Sequence, residues 1–420
     1  LKAQKPLPSK ADVFKAIYPN APFNAVEFDL QMSYLFRLVC QFLLQVEWEQ
    51  DSLQNDLHLA NSFRKRGLGN DFTQTLKRLN QRLEQQNLRE ASYYRMHYTI
   101  QWEQYLDFTS QHPTQAANLG ELTRNLDRSY LITKLRHACL SIPHRTIYQA
   151  DHQISWLDEI LQLVQESDWL NIPAIAIYYH CYLMQTRREK EPSFRAFKEI
   201  LFLNGYQFTT NEARDLYLLA INYCVRQANE GQGQYVEELF DLYREGLEKN
   251  ILLENGLLSR FTYHNAVGAG LRTEHFAWTE QFINNYKNTL EKKYRESSYS
   301  FNRARLEYNR KHYDEALQLL QKSNYRDLLL NLAAKTLLLK IYFELEEFDL
   351  LEAHLEAMLR YIRRKRVMGY HKTNYLNIIR LARKLISINT FDKKALTTLA
   401  QQIEATEELT ERNWFLAQIS

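Results

Sequence analysis

The sequence predicts an all-α protein, an α-solenoid of antiparallel helix hairpins with no sheet. Three observations lead to this fold class. Glycine and proline, which punctuate turns and break helices, number only 11 and 8 among 420 residues, whereas together they average roughly 12% of a chain. Apolar residues recur at steps of three and four through most of the chain. The C-terminal half also repeats itself at a spacing typical of paired helices.

The first 167 residues are predicted to form an N-terminal helical region. Ser9 and Asp12 have the spacing of a capping box, and Pro19 ends the short helix that follows them. A long helix is expected over 25–50, where the apolar residues repeat with helical periodicity at Phe28, Leu35, Leu38, Val39, Phe42 and Val46. Further helices are expected over 51–66, 71–86, 89–110, 118–141 and 151–167.

The segment NIPAIAIYYHCYLMQT at 171–186 contains no charged residue. It is shorter than the roughly 18–20 apolar residues that a membrane-spanning helix needs, so we expect a buried helix and no membrane association. The four cysteines, Cys40, Cys139, Cys181 and Cys224, lie among apolar residues without a CxxC pair. They are interpreted as buried free thiols, and together with the polar opening LKAQKPLPSK they favour a reducing, cytoplasmic location.

The region 168–420 carries the internal repeat. HYDEALQLL at 312–320 aligns with EFDLLEAHL at 347–355, so that Tyr313 matches Phe348 and Ala316 matches Leu351. Phe276, Tyr235 and Phe194 stand in similar settings earlier in the chain. Two helices in every 34–41 residues or so indicate an α-solenoid, which continues from the N-terminal region without a break.

Two resemblances extend this prediction. NRARLEYNRKHYDEALQLLQ at 302–321 resembles a tetratricopeptide repeat, with Ala304, Tyr313 and Ala316 at its small, aromatic and alanine positions. The chain as a whole resembles a family of helical-repeat proteins of Bacteroidota, through VFKAIYPNAPFN, IPAIAIYYHCYL, RDLYLLAINYCVRQ and LLENGLLSRFTYHN. The second resemblance implies a helical fold and an intracellular bacterial setting; the family has no assigned activity, cofactor or partner.

Sequence motifs give no sign of an enzyme. The chain lacks HExxH, GxSxG and GxxxxGK[ST], and its histidines and cysteines lack the spacing of metal ligands. We therefore predict no catalytic, metal-ligating or cofactor-binding residue and no cofactor. An enzyme whose site is assembled from distant residues stays as a remote hypothesis.

The first helices of successive repeats are expected to line a concave groove. The register places cations, aromatic rings and one amide along it, at His264, Arg272, Arg305, Tyr308, Asn309, Lys340 and Phe343. Arginine and asparagine donate to carboxylates and to peptide backbone. The leading hypothesis is therefore a non-catalytic scaffold or adaptor that binds a protein or peptide with acidic groups.

A basic segment at 360–366 supports an alternative hypothesis, a nucleic-acid-binding regulator. Its five cations are Arg360, Arg363, Arg364, Lys365 and Arg366. An acidic protein partner and a simple solvated helix end explain the same residues, since acidic residues precede them and the helix dipole favours cations at a C-terminus. The overall charge of +3 is too balanced for a general nucleic-acid binder.

Overall fold

The computed structural model describes residues 8–117, 119–148, 153–187, 190–322, 325, 327–365, 369–389 and 391–419. Over these residues the all-α class is confirmed, with 20 α-helices, three short 3-10 turns and one very small antiparallel ribbon. Contacts divide the chain into two compact units, Leu1–Thr209 and Thr210–Ser420. None of the helices in the described ranges combines the length and apolar character that crossing a membrane requires.

The first unit contains nine helices among its described residues. They are α1 (Lys10–Ile17), α2 (Ala25–Gln50), α3 (Ser52–Lys65), α4 (Gly69–Gln85), α5 (Ala91–Gln111), α6 (Gly120–Tyr148), α7 (Leu157–Glu166), α8 (Pro173–Thr186) and α9 (Glu191–Asn204). The capping box at α1 is confirmed, because the Ser9 and Asp12 side chains each accept a hydrogen bond from the other residue's backbone N–H.

Helix α8 is the uncharged segment of the sequence, and it is buried as predicted. Nine of its 14 residues are buried, and it packs against α6 and α9. The Cys139 thiol donates to the backbone oxygen of Tyr178 over 3.3 Å, which joins α6 to α8. Burial raises the pKa of this thiol well above its usual value. None of the four cysteines, all of which the structure describes, forms a disulfide; Cys139, Cys181 and Cys224 are buried, whereas Cys40 is half-buried.

The second unit contains eleven helices and the ribbon among its described residues. The elements are α10 (Thr210–Asn229), α11 (Tyr235–Glu248), β1 (Leu253–Glu254), β2 (Leu257–Leu258), α12 (Arg260–Arg272), α13 (Phe276–Asn285), α14 (Lys292–Asn309), α15 (Tyr313–Lys322), α16 (Leu328–Glu344), α17 (Phe348–Arg364), α18 (Gly369–Ser387), α19 (Lys393–Ala405) and α20 (Arg412–Ala417).

The ribbon corrects the expectation that the chain has no sheet. Leu253 pairs with Leu258 and Glu254 with Leu257. Between the strands, Asn255 and Gly256 both adopt positive φ angles, of 51° and 75°. Asn-Gly is the preferred dipeptide of a two-residue hairpin turn, because both residues tolerate that conformation. The local turn chemistry therefore forms a hairpin within a helical chain.

Three successive hairpins, α12–α13, α14–α15 and α16–α17, share one connection. In each, the residue two before the second helix has a left-handed φ, namely 60° at Glu274, 65° at Lys311 and 59° at Glu346. An aromatic residue then opens the second helix, namely Phe276, Tyr313 and Phe348. A backbone bond of the Schellman type closes the first helix each time, as in His312 N to Glu307 O at 2.9 Å.

Two glycines of α12, Gly268 and Gly270, allow other elements to approach closely. A Cβ at Gly270 would lie 2.3 Å from the Thr279 hydroxyl of α13, and one at Gly268 would lie 3.0 Å from Nη2 of Arg305 on α14. Because Arg305 belongs to the predicted groove, Gly268 makes room for one of its side chains.

Candidate functional site

The predicted groove residues converge on one cavity of the second unit. This cavity has a volume of about 570 Å³ and is lined by α12, α14, α16, α18 and the segment before α20. Five of the seven predicted residues line it: Arg272, Arg305, Tyr308, Asn309 and Lys340. These residues lie on the first helices of three successive hairpins, and those helices neighbour one another in pairs, α12 with α14 and α14 with α16.

Arg305 is the central cation of the cavity. Its Nη1 donates to the backbone oxygen of His264 and to Oδ1 of Asn302, each over 3.1 Å. Burial lowers the pKa of the guanidinium to about 10, which leaves it charged at neutral pH. Arg305 forms no ion pair with a carboxylate of the described residues, so its two bonds orient the charge without neutralising it.

His264 supports Arg305 and does not line the cavity. Its Nδ1 lies 2.8 Å from Nδ2 of Asn302. Burial first, and then the charge of Arg305, lower the pKa of His264 to about 4. The ring is therefore neutral at physiological pH and accepts the amide hydrogen of Asn302, while the His264 backbone oxygen holds Arg305.

Lys340 lies at the far side of the cavity and is paired with a carboxylate. Its Nζ contacts Oε2 of Glu411, and the two side chains are 16% and 26% exposed. The ammonium also lies 5.6 Å from the ring centre of Trp414 and 6.0 Å from that of Tyr308, within the range of cation–π attraction. The cavity lining therefore already contains a carboxylate next to Lys340, that of Glu411.

The aromatic residues of the predicted groove have unequal roles. Tyr308 lines the cavity with its ring, while its hydroxyl donates to Glu344. Burial, and then this bond, raise the pKa of Tyr308. Phe343 packs away from the cavity, with ring centres 5.5 Å from Trp414 and 5.9 Å from Phe348. The spacing of the sequence repeat does not predict which of the two rings faces the cavity, because both Tyr308 and Phe343 lie on first helices of hairpins.

Several lining residues were outside the predicted set. Tyr375 of α18, and Thr410 and Glu411 of the segment before α20, complete the cavity wall. That segment is held by the buried Asn374, whose Oδ1 accepts the backbone N–H of Thr410 over 2.8 Å. No repeat spacing links these residues to the groove, so nothing in the sequence indicated them.

The lining carries an excess of positive charge. Arg272, Arg305 and Lys340 face one carboxylate, that of Glu411, which gives a net charge of +2 among the lining side chains. Phe301 and Leu337 also border the cavity, so that part of its wall is apolar. The arrangement suits an anionic group or a backbone carbonyl entering beside an aliphatic or aromatic side chain.

The basic segment forms a second charged feature. Arg360, Arg363, Arg364 and Lys365 are exposed at and after the end of α17, whereas Arg366 lies outside the described residues. No ion pair of these four cations is found among the described residues, and the Arg364 guanidinium lies 6.0 Å from the ring centre of Tyr361. The acidic residues of the same helix point elsewhere, since Arg383 of α18 bonds to both Glu352 and Glu356.

Beside these features lies a closed ionic network. Arg303 and Arg310 bridge Glu280 and the buried Glu307, and His312 adds a contact of 2.9 Å to Glu307. The two guanidinium groups lower the pKa of Glu280 to about 2. Ligand atoms of Glu307, His312 and Glu315 lie within 4.8 Å of one another, but Arg303 already contacts Glu307 at 2.8 Å. This network ties α13 to α14.

Comparison with known proteins adds no relative: no protein-family model, curated protein or solved structure matches the chain.

Proposed function

We propose that this chain is a cytoplasmic, non-catalytic scaffold or adaptor of tetratricopeptide-like hairpins, which binds a protein or peptide segment carrying acidic side chains. The cavity lined by Arg272, Arg305 and Lys340 carries this proposal, because three cations there face the single carboxylate of Glu411. We also propose that the chain is related to the helical-repeat proteins of Bacteroidota that it resembles.

The repeated connection supports the solenoid part of the proposal. Three consecutive hairpins reuse a left-handed residue and an aromatic helix start, and their first helices are neighbours. A stack of equivalent hairpins presents first helices side by side, which is how solenoids build a continuous binding surface.

The chemistry of Arg305 and Lys340 supports the acidic partner. Arg305 is oriented by two neutral acceptors, and the nearby Glu411 carboxylate acts on it electrostatically. Lys340 binds a carboxylate of its own chain, that of Glu411. A ligand carboxylate at Arg305 would gain a charge-assisted bond of about 1.5–3 kcal/mol, because the guanidinium is already desolvated and positioned.

An array of short peptides tests the groove. We expect the unmodified protein to retain Asp- and Glu-containing peptides in preference to their Asn and Gln analogues. An Arg305→Glu/Lys340→Glu variant should weaken this binding by more than about tenfold, the effect of losing some 1.4 kcal/mol. The affinity is measured by fluorescence anisotropy with the best-retained peptides.

The matched control reverses two charges elsewhere. Arg360→Glu/Arg363→Glu changes the net charge by the same amount on the exposed end of α17, so it should leave peptide binding unchanged. The groove assignment is wrong if all three proteins retain the same peptides with the same affinity.

A second candidate function rests on the exposed cations at and after the end of α17, Arg360, Arg363, Arg364 and Lys365, for which the described residues provide no ion pair. We expect an RNA or DNA ligand there to be bound with an affinity that falls steeply with salt, at a log–log slope of about −3 if four phosphates are contacted. Charge reversal in Arg363→Glu/Arg364→Glu should reduce the slope by about two. Absence of a gel shift at low salt would rule out this function, and an unchanged slope in the variant would place the contact elsewhere.

A further inference from the structure

Helix α2 exposes an unusual amount of apolar surface. Of its 26 residues, all of which the structure describes, Phe28 alone is buried, against Phe14 of α1 and Phe23. Twelve of its large apolar side chains are at least 39% exposed: Val26, Leu30, Met32, Tyr34, Leu35, Phe36, Leu38, Val39, Phe42, Leu43, Leu44 and Trp48. Exposed apolar surface on this scale marks a docking site.

One stripe of this helix has the pattern of a helix–helix seam. Its residues alternate steps of three and four at Met32, Leu35, Val39, Phe42 and Val46, in the register of the buried Phe28. Phe36, Leu38 and Leu43 flank the stripe. Such a 3.5-residue period is the signature of side chains that interlock with a partner helix of the same period.

The stripe also lacks charge. Between Gln31 and Val46, Arg37 is the one charged residue. At 100° per residue it falls on the face of the helix opposite Val39 and Phe42. The surface therefore offers no ion-pairing group, and a charged peptide would leave its own charges unpaired there.

The exposed area matches what a dimer needs. Given the exposure of Leu35 (49%), Phe36 (69%), Phe42 (64%) and Leu43 (54%) and the sizes of such side chains, the stripe and its flanks expose on the order of 700 Å². A standard interface buries about 800 Å² per partner. One partner helix laid along the stripe would cover this surface.

We propose that the partner is the α2 stripe of a second copy of this chain, so that the protein forms a symmetric homodimer through a pair of α2 helices. Two copies bring the same uncharged heptads to one twofold axis, which satisfies the self-complementarity of such an interface. The two stripes interlock side by side in the packing mode of coiled coils. This dimer is independent of the peptide groove, which belongs to the other unit.

The mass of the purified full chain in solution tests the dimer. We expect light scattering after size exclusion to give twice the monomer mass of 50.2 kDa at micromolar concentration. Leu35→Glu/Phe42→Glu should shift the protein to monomer and raise the dissociation constant by at least about 100-fold. Both side chains are exposed in the single chain, and unchanged circular dichroism and melting temperature would show that the fold is intact.

Leu30→Glu/Leu44→Glu is the matched control, since these leucines are 73% and 70% exposed on the other side of the same helix. It should remain dimeric. A monomeric unmodified protein overturns the proposal, whether or not it then binds lipid vesicles or another protein. A dimer that survives in Leu35→Glu/Phe42→Glu, or one lost equally in the control, excludes the stripe as the interface.

Discussion

Replacing Glu307 by alanine is expected to destabilise the second unit by about 3 kcal/mol, at the low end of the cost of breaking a buried ion pair. The Glu307 side chain is 1% exposed and contacts Arg303 at 2.8 Å, Arg310 at 3.6 Å and His312 at 2.9 Å. Removal leaves two guanidinium groups, which are only about a quarter exposed, with the single carboxylate of Glu280. Urea denaturation monitored by circular dichroism measures the loss.

Glu296→Ala is the control for Glu307→Ala. It removes the same side chain from the same helix, α14, but Glu296 is 77% exposed and, among the described residues, pairs with Lys287. Ion pairs on the surface contribute about 0–1 kcal/mol to stability. The urea midpoint of Glu296→Ala should therefore stay close to that of the unmodified protein. Chelation with EDTA should not affect the unmodified protein. Equal losses in the two variants, or a loss on chelation as large as that of Glu307→Ala, would contradict a guanidinium network as the source of the stability.

The sequence predicts the helices well where composition and period agree. Helix α2 begins and ends within the predicted limits, because Asn24 caps its first turn and apolar residues recur throughout. Helix α8 is both helical and buried: the segment carries no charge that burial would leave unpaired, and the helix satisfies the buried backbone groups. Local physical chemistry decides both outcomes.

At two places the structure differs from the predicted secondary structure. The Asn255-Gly256 pair indicates a hairpin on its own, but the prediction of an all-α fold with no sheet did not take it into account. Pro143 predicts the end of a helix, whereas α6 continues to Tyr148. Helix α6 packs against α5 and α8, so tertiary contacts outweigh one missing hydrogen bond.

Five of the seven residues predicted for the groove line one cavity for a physical reason. Arg272, Arg305 and Lys340 lie on the first helices of three neighbouring hairpins, α12, α14 and α16. They line one cavity because similar positions of neighbouring hairpins face the same side. Glu411 arrives from a segment that no period relates to those helices. The sequence also does not show that neutral acceptors orient the Arg305 guanidinium, because this depends on which groups the fold places around it.

The second large effect concerns Gly270, where α12 meets α13. A Cβ there would lie 2.3 Å from Oγ1 of Thr279. Thr279 is fully buried and its hydroxyl is bonded to the His275 backbone oxygen at 2.9 Å, so the oxygen has no room to withdraw. We expect Gly270→Ala to lower the free energy of unfolding by about 2 kcal/mol, the usual cost of overpacking a core.

A double-mutant cycle isolates this clash. In a Thr279→Ala background the opposing oxygen is gone, and the remaining neighbours of the new methyl group, Trp278 and Cβ of residue 279, lie at 3.4 and 3.5 Å. Alanine should then be neutral, or stabilising by up to about 1 kcal/mol through its higher helix propensity. Gly233→Ala, with no atom within 4 Å of the added carbon, should cost little in either background. If Gly270→Ala is as costly with Thr279 as without it, the loss comes from another part of α12, and the close approach of the two helices does not explain why glycine is needed at 270.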